Sequence, residues 1–366
     1  MDGWKKIFLC DAALDWPVIP TIEWLDGGVV KMIDQTKLPT ELTWLELTSY
    51  RDVARSIKVM NVRGAPAIGV AAAMGVALAA LEVTSEVGSE APGSQLVERL
   101  GPAADLIKST RPTAVNLFWA VDRVTRVANE AAAQGKNAGE VAEALVEEAK
   151  RMAHEDVETN RRIGEHGADL IEDGDTVLTH CNAGSLATVQ YGTALAPIRV
   201  AVEQGKRVSV IADETRPRLQ GARLTAFELA YDGIPVKVAS DNSAGLLMQL
   251  GKVDKVIVGA DRVVRDSVFN KIGTLMVALA AKYFAVPFYV AAPSSTLSLG
   301  EVGDDVVIEQ RSGDEVALVL GKVRVVPEGV ETINYAFDRT PIDLVTGIIT
   351  EDGVFSPSQL LERYPS

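Results

Sequence analysis

The chain has 366 residues, 47% of them hydrophobic and only 5% aromatic, and a formal net charge of −14. This length predicts about two domains, and the hydrophobic share excludes a disordered chain. The negative charge argues against a nucleic-acid partner, because nucleic-acid-binding proteins present a basic face to the phosphates. An acidic chain can still bind an anionic ligand where a few arginines and backbone N–H groups converge.

The first half of the chain is predicted to be mainly helical after a short β-hairpin. Alternating apolar residues on both sides of a turn at 26–28 indicate the hairpin. Thr48 or Ser49 is a suitable N-cap for the helix that follows. Ser, Gly and Glu predict a solvated loop over 84–95. Apolar residues at helical spacing then predict helices over about 96–108, 113–134 and 138–170.

The segment 64–81 has the length and the lack of charge of a membrane span. It consists mainly of Ala and Gly, which insert poorly into lipid, and it lacks flanking aromatic residues. We therefore expect a buried helix with Pro66 in its first turn, and no membrane partner.

The cysteines and the N-terminal residues indicate a cytoplasmic protein. The two cysteines, Cys10 and Cys181, cannot form a disulfide framework, which fits a reducing compartment. Near the N-terminus, Asp11 and Asp15 interrupt any apolar core of a signal peptide. The histidines have no zinc-type spacing, so we expect no metal site.

After Gly174, short β-rich runs alternate with segments of helical periodicity. This alternation predicts an α/β fold with a parallel, doubly wound sheet. We expect a domain boundary near residue 150, within a long connecting helix. Residues 1–150 would then form a mainly helical domain with the β-hairpin, and residues 151–366 the sheet domain. The predicted strands are DTVLTHC, RVSVIAD, PVKVAS, KVIVGA and PFYVAA.

Cys181 lies at the predicted carboxyl end of a strand, where open parallel sheets bind their ligands. In THCNAGSLAT, residues 179–188, the strand is predicted to end and a helix to begin just after it. A thiol beside a helix N-terminus has a lowered pKa and can act as a base or nucleophile. A buried cysteine that merely ends a strand is the alternative. Neighbouring residues of a strand face opposite sides, so we expect no catalytic pair between His180 and Cys181.

Asp261 is predicted at the end of a second strand, in VIVGADRV at 256–263. A carboxyl group at the mouth of an apolar strand can have a raised pKa and act as a general acid. The apolar walls expected to keep it protonated are Val256, Ile257 and Val258. The alternatives are a turn cap or an ion pair with Arg262.

Two arginines precede predicted helices and are candidates for binding a phosphate. Arg63 is followed by Gly64 and Ala65, which allow a phosphate to approach the backbone closely. Arg111, the first residue of the triplet Arg-Pro-Thr, has the same relation to the next helix. A surface arginine in a turn is the alternative at both places.

Three further polar residues are candidates for binding a sugar. Gln220, in ETRPRLQGARLT, is suited to hydrogen bonds with sugar hydroxyls. Asn270 and Lys271 are predicted to open a helix and to supply an amide and a cation. Local ion pairs among the arginines around Gln220 and a solvated Lys271 are the alternatives.

Together these stretches resemble the methylthioribose-1-phosphate isomerase family. The resemblance extends over almost the whole chain, from DQTKLP at 34–39 to NYAFDRTPIDLVTGIITEDGV. It implies a small N-terminal domain and a Rossmann-like C-terminal domain, in a homodimer without metal or cofactor. Its most specific stretches are VRGAPAIG, THCNAGSLAT, DETRPRLQGARLTAFEL, VGADRV, NKIGT and PFYVAAPSSTLSL.

The resemblance also implies roles for individual residues. Cys181 and Asp261 match the catalytic pair of the family. The positions that match its substrate-binding residues are Arg63, Gly64, Ala65, Arg111, Gln220, Asn270 and Lys271.

The implied activity is the conversion of 5-methylthioribose 1-phosphate to 5-methylthioribulose 1-phosphate in methionine salvage. Asp261 would be the acid, and Cys181 the base or the group that stabilises the transition state. Isomerases of ribose 1,5-bisphosphate or 5-deoxyribose 1-phosphate are alternatives, since only the pocket around C5 would differ. A non-catalytic alternative is a regulatory protein like the alpha, beta and delta subunits of translation initiation factor two B, which share this fold.

Overall fold

A computed structural model describes residues 18–112 and 114–365. Cys10, the N-terminal acidic residues and Thr113 therefore lie outside the described residues. The chain divides into two compact units. We call Ile19–Glu158 with Ser185–Gln190 the helical unit, and Thr159–Gly184 with the described residues from Tyr191 onwards the sheet unit.

The helical unit begins with a small antiparallel sheet, which includes the predicted hairpin. The turn between its first two strands contains Gly27 and Gly28, both with positive φ. The third strand was not predicted, because WLEL offers only a short alternation. The strand order is β1-β2-β3, with β1 (Ile22–Leu25), β2 (Val29–Ile33) and β3 (Trp44–Leu47).

Five helices follow in the chain. Ser49 is the N-cap of the first, since its side chain accepts a hydrogen bond from the backbone N–H of Arg51. The helices are α1 (Tyr50–Lys58), α2 (Ala65–Val87), α3 (Gly93–Ser109), α4 (Val115–Ala133) and α5 (Ala138–Ala168).

The Ala-rich helix α2 is the centre of the helical unit and packs against α1, α3 and α4. It is long and apolar enough to cross a membrane, yet 78% of its apolar 18-residue stretch is buried inside the protein. Small residues allow this close packing: a Cβ on Gly69 would lie 3.1 Å from the Asn116 carbonyl oxygen. The prediction of a buried helix is confirmed.

The loop predicted over 84–95 is wrong at both ends. Helix α2 continues to Val87, and α3 begins at Gly93. The polar residues that suggested a loop include Ser85 and Glu86, which lie on the exposed side of the last turn of α2. The chain leaves the helix only at Gly88, whose φ of 92° ends it.

The sheet unit contains all five strands predicted from the sequence. Its strands are β4 (Thr176–Thr179), β5 (Ser209–Asp213), β6 (Val236–Ala239), β7 (Lys255–Val258), β8 (Arg262–Val264), β9 (Ser267–Lys271), β10 (Phe288–Ala291), β11 (Leu297–Ser298), β12 (Leu318–Val319), β13 (Val323–Arg324), β14 (Phe337–Pro341), β15 (Gly347–Thr350) and β16 (Gly353–Phe355). Its further helices are α6 (Ala196–Glu203), α7 (Ala226–Tyr231), α8 (Ala244–Gln249), α9 (Thr274–Tyr283), α10 (Asp314–Ala317) and α11 (Pro357–Arg363).

The main sheet has the order β16-β15-β10-β7-β4-β5-β6. All its neighbouring strands are parallel except the edge strand β16, which is antiparallel to β15. The chain enters at β4, adds β5 and β6 on one side, and then places β7, β10 and β15 on the other. The order therefore reverses between the neighbours β4 and β7, which is where open α/β sheets bind ligands.

Both faces of this sheet are buried, as parallel sheets require. Leu178, Val256 and Val258 belong to the core on one face. Val177 and Ile257 belong to the core on the other. The strand residues alternate between the two cores because successive side chains point to opposite faces.

Smaller sheets complete this unit. The order β11-β8-β9-β14 gives a four-stranded sheet, and β12 pairs with β13. The four-stranded sheet was not predicted, since its strands are short and broken by charged residues.

The units divide between Glu158 and Thr159, inside α5, whereas the sequence suggested a boundary near residue 150. The segment Ser185–Gln190 also belongs to the helical unit. A continuous helix has no break in periodicity at which its contacts change, so the sequence cannot mark this division.

Candidate active site

Cys181 follows β4 and has a left-handed backbone with φ of 65°. Its backbone N–H donates to the Thr215 hydroxyl at 2.9 Å, and its carbonyl accepts from the Thr225 hydroxyl at 2.6 Å. The side chain is a free thiol and is half-buried. Residues other than glycine rarely adopt such a backbone, and they cluster at functional sites when they do.

The helix predicted just after Cys181 does not form. Only a single 3-10 turn, Ser185–Ala187, follows it. Gly184 is closely packed instead, since a Cβ there would lie 2.1 Å from the Glu228 carboxylate. The expectation of a thiol beside a helix N-terminus is therefore wrong.

A buried polar network lies next to this turn. The Asn182 side chain donates to the Thr225 hydroxyl at 3.1 Å and to the Glu228 carboxylate. Arg199, fully buried, binds Glu228 at 2.7 Å and Asp232 at 2.6 Å. Burial lowers the pKa of Arg199, but these two carboxylates outweigh it and raise the pKa. The sequence did carry a signal for this network: a lone arginine inside the apolar run APIRVAV.

His180 contacts an acceptor through each ring nitrogen. Nε2 lies 2.8 Å from the Ile272 carbonyl oxygen, and Nδ1 lies 3.0 Å from Asp213 Oδ2. A carbonyl only accepts, so Nε2 carries a proton, and a second proton lies between Nδ1 and the carboxylate. Burial lowers the pKa of His180, but the hydrogen bond and charge of Asp213 outweigh it, so the pKa is raised. A Cβ on Gly273 would lie 2.7 Å from this ring.

His180, Asp213 and Asp241 offer ligand atoms within 4.8 Å of one another, a spacing that a cation can use. The ring nitrogens of His180, Asp213 Oδ2 and both carboxylate oxygens of Asp241 already take part in hydrogen bonds, whereas the buried Asp213 Oδ1 has no partner among the described residues. Asp241 accepts from the backbone N–H groups of Thr215 and Arg216, both at 2.7 Å. A cation would have to displace the protons of these bonds, so we assign the cluster to positioning the chain.

Asp261 follows β7, and its backbone N–H donates to the Phe269 carbonyl at 2.9 Å. The residue is exposed and does not lie in an apolar pocket. Val256, Ile257 and Val258, expected to line the carboxyl group, are instead buried in the two cores of the sheet. That expectation is wrong, because the strand ends at Val258 and the chain turns before Asp261.

Arg311 is a cation close enough to act on Asp261, and the sequence did not single it out. Its guanidinium binds the Glu309 carboxylate at 3.0 Å. Burial lowers the pKa of Arg311, but Glu309, Glu315 and Asp261 together raise it.

The loops that follow β4 and β7 are in contact. The two strands pair in parallel, with Leu178 opposite Val256. Beyond them, a Cβ on Gly259 would lie 2.6 Å from the Ala183 Cβ. The structure thus brings Cys181 and Asp261 to the same edge of the sheet, at the reversal of strand order.

Gln220 is buried beside the turn that follows β5. Its Oε1 atom has no hydrogen-bond donor among the residues that the structure describes. The next residue, Gly221, begins a π-helical turn, Gly221–Thr225, and a Cβ there would lie 1.7 Å from the Asp213 carbonyl oxygen. A buried acceptor of this kind is suited to a ligand hydroxyl.

Asn270 and Lys271 end strand β9 and do not open a helix. The Asn270 amide donates to the Thr274 hydroxyl at 3.0 Å. Lys271 is buried, donates to the Ala336 carbonyl at 2.9 Å and lies 4.4 Å from the centre of the Phe337 ring, so the alternative of a solvated lysine is wrong.

Helix α9, which begins three residues after Lys271, does not offer a free anion site. Asp338 accepts from the N–H of the N-cap Gly273 at 2.7 Å and from that of Leu275, in the first turn, at 3.2 Å. Burial raises the pKa of Asp338, and these two hydrogen bonds oppose that rise.

Arg63, Gly64, Ala65 and Arg111 belong to the helical unit. Gly64 has φ of 95° and precedes α2, with Pro66 in the first turn as predicted. A Cβ on Gly64 would lie 2.2 Å from the Ala187 carbonyl oxygen, so only glycine fits. Both arginine side chains are half-buried.

The sequence and the fold together define the class of this protein. The sequence profile described as the initiation factor 2 subunit family matches residues 61–357, so the chain belongs to that family. A crystal structure of translation initiation factor eIF-2B, subunit delta, from A. fulgidus has 50% sequence identity and a TM-score of 0.85. It covers 94% of this chain and 97% of its own.

The more particular resemblance, to the methylthioribose-1-phosphate isomerase family, is confirmed as well. The protein of that name from Thermosipho africanus is 52% identical over 339 residues, which are 92% of this chain and 95% of the relative. A crystal structure of 5-methylthioribose 1-phosphate isomerase from Pyrococcus horikoshii OT3 has 42% identity and a TM-score of 0.87. It covers 96% of this chain and 97% of its own.

Proposed function

We propose that this protein is an aldose–ketose isomerase that converts 5-methylthioribose 1-phosphate to 5-methylthioribulose 1-phosphate. This reaction belongs to methionine salvage, and we assign the protein to the cytoplasm. The names of relatives at 52% identity support the substrate. The observation that supports the chemistry is that Cys181 and Asp261 follow the ends of the adjacent parallel strands β4 and β7.

The substrate requires an acid to open its ring. An aldose 1-phosphate has no free aldehyde, because C1 carries the phosphate. In our proposal Asp261 protonates the ring oxygen as the C–O bond breaks. The exposed carboxyl group lacks burial to keep its proton, but a bound phosphate adds negative charge and excludes water, and both raise a carboxyl pKa.

Cys181 would then assist the movement of hydrogen from C2 to C1. As a thiolate it would remove the C2 proton to form an enol, which is general base catalysis. If a hydride moves instead, the same group would stabilise the transition state. Its half-buried position and its free thiol support either role.

Substrate binding extends over the residues that the family resemblance implies. Gln220 would accept a hydrogen bond from a sugar hydroxyl, which its buried Oε1 supports. Asn270 and Lys271 would contribute an amide and a buried charge near the sugar. The phosphate would be bound by Arg63 and Arg111 with the backbone at Gly64 and Ala65.

We further propose that residues 151–366 form a Rossmann-like domain. From the edge strand β6, the parallel strands run third, second, first, fourth, fifth and sixth in chain order, which supports this arrangement. No cofactor or metal is part of the proposal.

We also propose a homodimer as the functional form, without a nucleic-acid or membrane partner. Exposed apolar side chains on α8 and α9 support it, since such groups are usually covered by a partner. They are Leu246 on α8, Leu250 at its C-cap, and Met276, Leu279 and Tyr283 on α9, which together we call the α8–α9 apolar face.

A regulatory role is the second candidate, because the A. fulgidus neighbour is named as a subunit of a translation initiation factor. The presence of both Cys181 and Asp261 favours the enzyme. Isomerases of ribose 1,5-bisphosphate or 5-deoxyribose 1-phosphate would use the same chemistry.

One assay separates these possibilities. The protein is incubated with pentose 1-phosphates that differ only at C5, and ketose formation is followed by NMR. We expect the 5-methylthio compound to react with the highest kcat/KM. A preference for a C5 phosphate or a C5 methyl group would mean that the substrate is ribose 1,5-bisphosphate or 5-deoxyribose 1-phosphate. No turnover, together with tight binding to an initiation factor, would mean that the protein has the regulatory role.

A further inference from the structure

We propose that Thr215 and Thr225 are positioning residues whose hydroxyl groups orient the Cys181 thiol. The proposal rests on the proposed function for what the thiol does. Its structural part concerns only how the residue is oriented.

The two hydroxyls bind both backbone groups of Cys181. Thr215 lies on the loop after β5 and accepts the Cys181 N–H at 2.9 Å. Thr225 lies at the end of the π-helical turn and donates to the Cys181 carbonyl at 2.6 Å. Both threonines are fully buried, so water does not compete for these bonds.

The direction of each hydrogen bond is determined by a further partner. A hydroxyl has one proton, and Thr215 donates it to the Asp213 carbonyl at 3.0 Å, which leaves a lone pair for the Cys181 N–H. Thr225 donates its proton to Cys181 and accepts from the Asn182 amide at 3.1 Å. Neither hydroxyl can rotate without losing a buried hydrogen bond.

Thr215 is itself rigidly held. Its own φ is 64°, and its backbone N–H donates to Asp241 at 2.7 Å. Asn182 connects Thr225 to the buried Arg199–Glu228 ion pair, because its amide donates to both Thr225 and Glu228. The two threonines are therefore held in fixed positions, and their hydroxyl groups hold the backbone of Cys181 in turn.

The left-handed backbone of Cys181 is what these bonds stabilise. In an extended strand, the side chain of Cys181 would point to the face opposite to that of His180. A φ of 65° turns the Cα–Cβ bond away from that direction. Without the two hydroxyls, Cys181 would relax towards negative φ, which the L configuration favours, and its thiol would move.

The test compares valine and serine at each position, in a Cys10→Ser background that leaves Cys181 as the single thiol. Valine keeps the shape and removes the hydroxyl, whereas serine keeps the hydroxyl. We expect Thr215→Val and Thr225→Val to lower kcat by roughly 10- to 100-fold, since displacement of a reacting group by about 1 Å has this effect. KM should stay within about 3-fold, and the serine variants should retain kcat within about 3-fold.

A second readout does not depend on isomerase activity. The rate of Cys181 alkylation by iodoacetamide is measured from pH 6 to 10 on folded protein. We expect the valine variants to change both the limiting rate and the apparent pKa of the reaction, and the serine variants to keep the parent profile. The alkylation measurement tests the proposal even if the protein turns over no sugar phosphate.

Thr340→Val is the matched control. Thr340 is also fully buried in the sheet unit, but its hydroxyl has no hydrogen-bond partner in the described part of the chain. Thr340→Val should keep kcat and the alkylation profile of the parent.

If a valine variant at Thr215 or Thr225 does not fold, alanine at the same position replaces it in the test, because alanine removes the hydroxyl with less crowding. Parent-like kcat and alkylation in the folded valine variants, or equal losses in valine and serine variants, would overturn the proposal.

Discussion

At the scale of single residues, the chemistry of this site depends on backbone conformations that the sequence does not display. THCNAGSLAT predicted that a strand ends at His180–Cys181, whereas β4 ends at Thr179 and Cys181 lies two residues beyond it. Its left-handed φ arises from hydroxyl groups that lie 34 and 44 positions further along the chain. Local patterns cannot reveal such partners, so the orientation of the thiol could not be predicted, although its place at a strand end could.

His180 gives a prediction about pH. The folded protein holds the proton of the His180–Asp213 pair more tightly than the unfolded chain does, because the pKa of His180 is raised. Its stabilisation is therefore fully present below the ordinary pKa of 6.5 and is lost as the pH rises through the raised value. The charged groups that face the ring are Asp213, Asp241 and Asp338.

The measurement is the free energy of unfolding in urea for the parent and for His180→Asn, between pH 5.5 and 9.5. We expect the parent to be more stable by about 2 kcal/mol at the acidic end, where the protonated ring makes a buried charge-assisted hydrogen bond to Asp213 that the His180→Asn variant lacks. This difference should shrink with rising pH. Asp213→Asn should remove the same pH dependence, and a difference that stays constant with pH would contradict the shared proton.

At the scale of elements, the sequence predicted what periodicity encodes. The five parallel strands, the Ala-rich helix and the hairpin all form where apolar spacing indicated them. The failures lie where contacts decide the structure: the helix expected after Cys181 and the helix start expected at Asn270 are absent. Packing of Gly184 against Glu228 and pairing of β9 with β14 are long-range effects, which no local pattern contains.

The start of α2 allows a test of close packing in the helical unit. Gly64→Ala would introduce a Cβ at 2.2 Å from the Ala187 carbonyl, in addition to an unfavourable φ of 95°. We expect a loss of about 3 kcal/mol in the free energy of unfolding, measured by chemical denaturation.

Gly88→Ala is the control for the backbone contribution. Gly88 has a similar φ of 92°, but a Cβ there would meet nothing within 4 Å. Its substitution should cost only about 1 kcal/mol, the conformational part alone. Equal losses in the two variants would mean that the contact at Ala187 does not limit this position.

At the scale of the whole molecule, the α8–α9 apolar face predicts self-association. Tyr283 is 83% exposed and Met276 66%, and exposed apolar side chains gathered on two helices that contact each other are typical of an interface. We expect the parent to have the mass of a dimer by light scattering, and Met276→Glu with Leu279→Glu to have that of a monomer, because charge opposes burial of the face.

Leu106→Glu provides the comparison. Leu106 is 40% exposed on α3 of the helical unit and lies outside the α8–α9 apolar face, so the dimer should persist. A dimer that survives the double substitution on α8–α9 would require a different interface.

Asp261 and Cys181 are proposed to act together on one sugar phosphate, and the whole function depends on this pair. The most direct test is the rate of ketose formation from 5-methylthioribose 1-phosphate by the parent, Asp261→Asn and Cys181→Ser, followed by NMR, with circular dichroism to establish folding. We predict that both variants fold, that Asp261→Asn lowers kcat by at least about 1,000-fold and that Cys181→Ser lowers it by about 100-fold or more. A folded Asp261→Asn variant with a rate close to that of the parent would contradict the joint action of the two residues.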